Sequence, residues 1–106
     1  VRVAGPKLSV MKGDEVLSEL ALAPGKSLAG RQPDAFIVTE HPSCSRQHAS
    51  LDYDPDNGAL TVTDLGSSYG SSVDGKKITA KEAVTLRNGM SFQLGASTRK
   101  YVVKGL

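Results

Sequence analysis

Eleven glycines and five prolines, scattered from Gly5 to Gly105, break this chain so often that the longest stretch free of both runs only from Lys76 to Asn88. Long helices have little room here, because glycine and proline cost about 1 and 3 kcal/mol in a helix interior. Inside the short pieces the apolar residues recur mostly at every second position, the period that sets one face of an extended strand on a core and the other in water. Leu8 with Val10, Val16 with Leu20 and Leu22, Ala49 with Leu51 and Tyr53, Leu60 with Val62, Val84 with Leu86, Phe92 with Leu94, and Tyr101 with Val103 carry this alternation. Between them lie turn signals at Met11–Asp14, Asp54–Gly58, Asp74-Gly75 and Arg87–Gly89. Gly or Asn takes positive φ cheaply at such places, so hairpins follow. The pattern predicts an all-β chain, a sandwich or barrel of about ten short strands.

Composition bounds the rest. With 39% apolar and 23% charged residues, the 106 residues suit one core and are too apolar for a disordered chain. A net charge of +2 lacks the excess of cations that duplex DNA binding usually shows. No apolar run approaches the roughly 20 residues of a membrane span, and Val1–Pro6 lacks the order of a signal peptide. Because the sequence begins at Val, it reads as a fragment of a longer protein. The single cysteine, Cys44, forbids an internal disulfide framework.

Two stretches break the alternation, being polar, glycine-bearing and rich in hydroxyls and cations. One runs from Gly30 to Asp34 and through Phe36-Ile37-Val38 to His41–His48; the other spans Asp64 to Gly75. Loops of a sandwich cluster at its two ends, so two such loops can meet in one binding surface. A phosphorylated side chain carries nearly two negative charges and requires a cationic fork with hydroxyl and backbone N–H donors around it. Arg31 and Arg46 offer forks, and Ser45, Ser67 and Ser68 offer hydroxyls. Gly66 and Gly70 permit turns tight enough to aim N–H groups at an anion. At an effective dielectric near 20, one unit-charge pair about 4 Å apart is worth roughly 4 kcal/mol before desolvation. Composition alone leaves both arginines equally readable as solvated loop cations.

The spacing resembles that of the forkhead-associated (FHA) family, whose signature is Gly-Arg, then Ser-x-x-His, then Asp-x-Gly-Ser-x-Asn-Gly-Thr-x-Val-Asn-Gly. Gly30-Arg31, Ser45-Arg46-Gln47-His48 and most of Asp64–Gly75 stand in that order. Leu86, Gly89, Phe92, Leu94 and Gly95 are similar to the family's closing Leu-x-x-Gly-x-x-Phe-x-Leu-Gly. Residues 1–106 thus read as a single FHA domain with its core at about 8–103. The resemblance implies a SMAD-like β-sandwich of about eleven strands with binding loops at one end. It further implies a monomer that binds phosphothreonine-containing proteins, with no catalysis, no cofactor and no metal. By the same resemblance Arg31 is a direct phosphate ligand, Ser45 a hydroxyl donor, Arg46 a second cation, and Ser68 a donor where many members have Thr. The Tyr69-Gly70 turn completes the binding surface, with Gly30, His48, Asp64 and Gly66 supporting it. His48 is expected to bond neighbouring loop backbone, which is also what a lone histidine beside an apolar strand usually does.

Tyr69 departs from the pattern, standing where the family has Asn. A phenol lacks the paired geometry of an amide, so its ring either packs along the peptide or covers the loop. His41–Ala49 and Gly95–Tyr101 resemble a narrower subgroup, that of the nuclear inhibitor of protein phosphatase one and the Smad nuclear-interacting protein. That likeness implies a nuclear location and a phospho-Thr-Pro partner related to splicing.

Other chemistries fit less well. Ser45 with His48, or Cys44 flanked by His41 and His48, mimics a nucleophile and base, but neither histidine has an obvious orienting carboxylate. His41, Cys44 and His48 are one ligand short of a closed zinc site. Asp52, Asp54 and Asp56 open like a calcium loop, yet Asn57 and Thr63 replace its Gly and Glu, so a solvated hairpin tip is expected. The alternative function is an RNA- or DNA-binding β-domain using Lys76, Lys77, Lys81, Arg87, Arg99 and Lys100 as a basic strand face. Few aromatics remain there as stacking platforms.

Overall fold

A computed structural model gives the fold of residues 5–106, which contain eleven strands and no helix. In chain order they are β1 (Lys7–Lys12), β2 (Glu15–Ala21), β3 (Gly25–Gly30), β4 (Ile37–Val38), β5 (Ala49–Asp54), β6 (Ala59–Asp64), β7 (Ser71–Val73), β8 (Lys76–Lys77), β9 (Ala83–Leu86), β10 (Ser91–Leu94) and β11 (Arg99–Lys104). One sheet has the order β2-β1-β11-β10-β7-β8, the other β4-β3-β5-β6-β9. Only β3 and β4 pair in parallel; the other pairs are antiparallel. Pairing of β1 with β11 joins the first and last of these strands in one sheet.

The core lies between the sheets, where alternate residues point inward. Leu51 and Tyr53 of β5, Leu60 and Val62 of β6, Phe92 and Leu94 of β10, and Tyr101 and Val103 of β11 are all buried. Phe92 and Tyr101 are register partners, and their rings stack with centroids 5.0 Å apart. Asp64 occupies the next inward position after Leu60 and Val62, so β6 delivers a carboxylate into the end of the core.

Two expectations need correction. Val16 is not a core residue: it is 49% exposed. The register between β1 and β2 slips at Val10/Met11, so that Val10 pairs with Ser18 but Met11 pairs with Val16. One extra residue in β2 sends everything before it to the opposite face. The polar stretch Asp64–Gly75 is also not all loop. Ser71–Val73 is β7, with Ser71 and Val73 buried, and Asp74-Gly75 is the turn of a hairpin to β8. Both turn residues have positive φ, 49° and 82°, as a two-residue hairpin turn of the primed kind demands.

Candidate functional site

Four connections meet at one end of the sandwich: β3–β4, β4–β5, β6–β7 and β10–β11. The β3–β4 and β4–β5 loops run side by side, with the Arg31 N–H donating to the Ser45 carbonyl (3.0 Å) and the Gln32 N–H to the Arg46 carbonyl (3.2 Å). Gly30 makes this approach possible, since a Cβ there would collide with the Arg46 carbonyl oxygen and stand 2.8 Å from that of Ser45. Its glycine is therefore required by close packing of two backbones rather than by its own φ. The β6–β7 loop joins them through the Ser68 N–H, which reaches the Ser45 hydroxyl at 3.4 Å. The β10–β11 loop is tied in twice, by Gly95 N–H to the Gly70 carbonyl (2.9 Å) and Ala96 N–H to the Ser43 hydroxyl (2.7 Å).

Two buried polar side chains hold this loop cluster in shape. His48 is fully buried; its Nδ1 accepts the Ser45 N–H at 3.0 Å and its Nε2 lies 2.7 Å from the Gly70 carbonyl oxygen. A carbonyl only accepts and an amide N–H only donates, so these partners fix the neutral tautomer with its proton on Nε2. Asp64 accepts four hydrogen bonds: Oδ1 from the hydroxyls of Ser67 and Ser71, both at 2.6 Å, and Oδ2 from the N–H groups of Gly66 and Ser67. Burial pushes its carboxyl upward, but the bonds from Ser67, Ser71 and Gly66 outweigh this and hold it below the ordinary carboxylate value. Gly66 has φ 84° and Gly70 φ 77°, conformations that bend the loop over the carboxylate.

Above this scaffold the predicted surface residues stand free. Arg31 is exposed, and its Nε donates to the Cys44 carbonyl at 2.6 Å, which orients the guanidinium without neutralising it. Arg46, Ser68 and Tyr69 are exposed as well, with Tyr69 at 58%. Lys7–Glu19 is an ion pair and the neutral His48 ring lies 3.8 Å from Asp64, and among the described residues neither arginine is matched by an acid. An end of the molecule with two unpaired guanidinium groups, the Ser45 and Ser68 hydroxyls and turned backbone can enclose a multiply charged oxyanion.

Some candidate residues are placed elsewhere. The Ser67 hydroxyl is used by Asp64 and is not a free donor. Ser45 and His48 make no nucleophile–base pair, because the imidazole takes the Ser45 backbone N–H rather than its hydroxyl. Cys44 is buried, with Sγ against the Leu94 carbonyl. Asp54 binds the Asp56 N–H and the Asn57 amide, closing the β5–β6 hairpin tip on itself. The six cations of the basic-face alternative do not share a strand: Lys76 and Lys77 lie on edge strand β8, and two strands separate it from β11 with Arg99 and Lys100.

Sequence reasoning missed three contributors. Lys77 and Lys81 lay their side chains beside the loop glycines, with Lys77 Cε 3.3 Å from where a Cβ of Gly70 would be and Lys81 Cε 3.4 Å from that of Gly66. The hairpin expected at Asp74-Gly75 is the signal for Lys77, since that turn pairs Ser72 with Lys77. Ser43 is the third, a buried hydroxyl that joins two loops and reaches His41 Nδ1 at 2.7 Å.

Two packed sheets that gather four loops into a cationic, hydroxyl-lined end define a β-sandwich recognition module. Residues 28–95 match the FHA domain family model, and the chain belongs to the FHA domain family. It is 36% identical over 98 residues to the protein phosphatase 1 regulatory inhibitor subunit PPP1R8 homolog of Arabidopsis thaliana, covering 92% of this chain and 26% of that protein. It is 32% identical over 102 residues to the human nuclear inhibitor of protein phosphatase 1, covering 94% of this chain and 29% of that protein. The chain thus spans between a quarter and a third of the length of these relatives. A solved structure from a structural and functional analysis of phosphothreonine-dependent FHA domain interactions superposes with a TM-score of 0.78, over 95% of this chain and 96% of that one. Its identity is 22%, and the likeness is one of fold. The family model ends inside the observed sandwich: β1, β2 and β11 lie outside the matched residues yet form half of the larger sheet.

Proposed function

We propose that this domain binds phosphothreonine peptides, and that it reads phospho-Thr-Pro segments of a nuclear or splicing-related protein. The observation that carries the reading is the convergence of Arg31, Ser45 and Ser68: the Arg31 N–H is bonded to the Ser45 carbonyl, and the Ser45 hydroxyl accepts the Ser68 N–H. In this reading Arg31 and Arg46 balance the phosphate charge, and Ser45 and Ser68 donate to its oxygens. Tyr69-Gly70 borders the peptide, and Gly30, His48, Asp64 and Gly66 hold the surface. The nuclear assignment is supported by the name of the human relative, and the ligand class by the phosphothreonine-dependent interactions of the structural neighbour.

Calorimetry with one Thr-Pro peptide in phosphorylated and unphosphorylated form tests it. Binding of the phosphorylated form alone is expected, rising as the phosphate loses its second proton near pH 6 and falling with salt. Equal affinities for the two peptides would end the reading. A phosphoserine counterpart is expected to bind about fourfold more weakly from the lost methyl alone, whose burial is worth about 0.8 kcal/mol.

A further inference from the structure

A cleft of about 230 Å³ opens near the β1–β2 turn, between the β4–β5 and β10–β11 loops. None of Arg31, Ser45, Arg46 or Ser68 lines it; Lys12, Thr39, Glu40, His41 and Arg99 do. Lys12 of β1 and Arg99 of β11 are register partners, so their side chains leave the same face of the sheet side by side. Like charges directly opposite each other repel, and neither cation forms an ion pair among the described residues.

A second feature is independent of those charges. Thr39 is 3% exposed, and its Oγ1 is the one buried side-chain polar atom among the described residues that has no hydrogen-bond partner. Its backbone N–H is already used on the Gly30 carbonyl, at 2.8 Å. A buried hydroxyl without an acceptor is a standing loss, recovered when an acceptor arrives beside it. His41 adds a donor: Nδ1 accepts the Ser43 N–H at 3.1 Å, which leaves the ring proton on Nε2.

The charge count selects the ligand. Lys12 and Arg99 against Glu40 give the lining a formal charge of +1, which one carboxylate balances and a phosphate dianion exceeds. We propose that this cleft is a second oxyanion site, separate from the Arg31 surface, that accepts a single carboxylate through Lys12, Arg99 and the Thr39 hydroxyl. A carboxylate reaches such a site either as an acidic side chain of a partner or as a free small acid.

Amide chemical shifts of the labelled domain test this, with acetate, a blocked tetrapeptide bearing one Glu, and inorganic phosphate as probes. Acetate and the Glu peptide are both expected to give saturable shifts at Lys12, Thr39, His41 and Arg99, in the native chain and equally in Arg31→Ala. Tighter binding of the Glu peptide assigns the site to a partner's side chain, and tighter binding of acetate to a free acid. Lys12→Gln and Arg99→Gln should each weaken binding by about fivefold. Thr39→Val keeps the shape of the side chain and should weaken it by about tenfold without lowering the melting temperature. Absence of saturable shifts, shifts undiminished in the Lys12→Gln/Arg99→Gln double variant, or tighter binding of phosphate than of either carboxylate overturns the proposal.

Discussion

His48 and Gly70 are joined across 22 residues of chain by a 2.7 Å hydrogen bond from the imidazole Nε2 to the glycine carbonyl oxygen. The same ring accepts the Ser45 N–H, so one buried side chain sets the spacing between the β4–β5 and β6–β7 loops. Those loops carry Ser45 and Ser68, which meet only because this spacing is fixed. A phenylalanine at position 48 fills most of the same volume and makes neither bond. The Gly70 carbonyl keeps its bond from the Gly95 N–H, but the Ser45 N–H is left without a partner. His48→Phe is expected to lose about 2 kcal/mol of stability in urea unfolding and to weaken phosphopeptide binding in the population that stays folded.

Arg31 is held through Nε, and the remaining guanidinium nitrogens are left for a ligand. Arg31→Ala removes a charge-assisted fork and is expected to cost at least about 2 kcal/mol of phosphopeptide affinity. Arg31→Lys should recover little of it, because an ammonium cannot both bond the Cys44 carbonyl and present a planar pair of donors. Calorimetry on both variants, with unfolding curves matching the parent, checks this; retained affinity in the alanine variant removes Arg31 from the site.

Much of this end of the molecule was legible from residue order alone, and what escaped did so for local reasons. Gly30-Arg31 and Ser45–His48 lie in separate strands' margins, yet the spacing that resembles FHA members placed them together. The inward period of β5, β6, β10 and β11 was plain because each is bounded by a glycine or an acidic turn. β3 was not, since Lys26-Ser27-Leu28-Ala29 offers one large apolar residue and its fully buried position is the small Ala29. β7 was masked by serines, because Ser71 faces inward to satisfy Asp64 and not to fill the core. The slip that exposes Val16 leaves no mark in a hydrophobic pattern, being a property of the pairing between two strands.

The Asp64 carboxylate is the electrostatic anchor of the β6–β7 loop, and its lowered pKa ties stability to pH. A group whose folded pKa lies below its unfolded value contributes its full stability above the unfolded value, near 3.8, and loses it as pH falls through the folded one. Unfolding by urea at pH 7 and at steps below pH 4 should therefore show a fall that Asp64→Asn lacks. The asparagine variant is expected to be weaker at pH 7 by about 2–4 kcal/mol, since its amide NH₂ faces donors that need an acceptor. An acid limb unchanged by the substitution would assign the pH dependence to other carboxylates.

Gly30→Ala introduces one methyl group against the Arg46 carbonyl, and only backbone movement relieves the clash. The two loops must part, breaking the Arg31 N–H to Ser45 bond, so a loss of about 1–3 kcal/mol is expected. Phosphopeptide affinity should fall as well, although no side chain of the proposed binding surface has been altered. Full retention of both would mean that the loops can shift together at no cost.

At Tyr69 a substitution is expected to separate recognition of the phosphate from recognition of its surroundings. The residue is 58% exposed and lies outside the buried core, so removing its ring uncovers no core. Tyr69→Asn should leave stability within about 0.5 kcal/mol of the parent. The ratio of affinities for phosphorylated and unphosphorylated peptide should also persist, because Arg31, Ser45 and Ser68 remain. What should change is the preference among residues flanking the phosphothreonine, as an aromatic face able to pack on apolar side chains gives way to an amide that bonds backbone. A phosphopeptide-library selection with both forms reads this directly. A shift in flanking preference with intact phosphate dependence places the phenol against the peptide. An unchanged profile would show that the ring is a bystander.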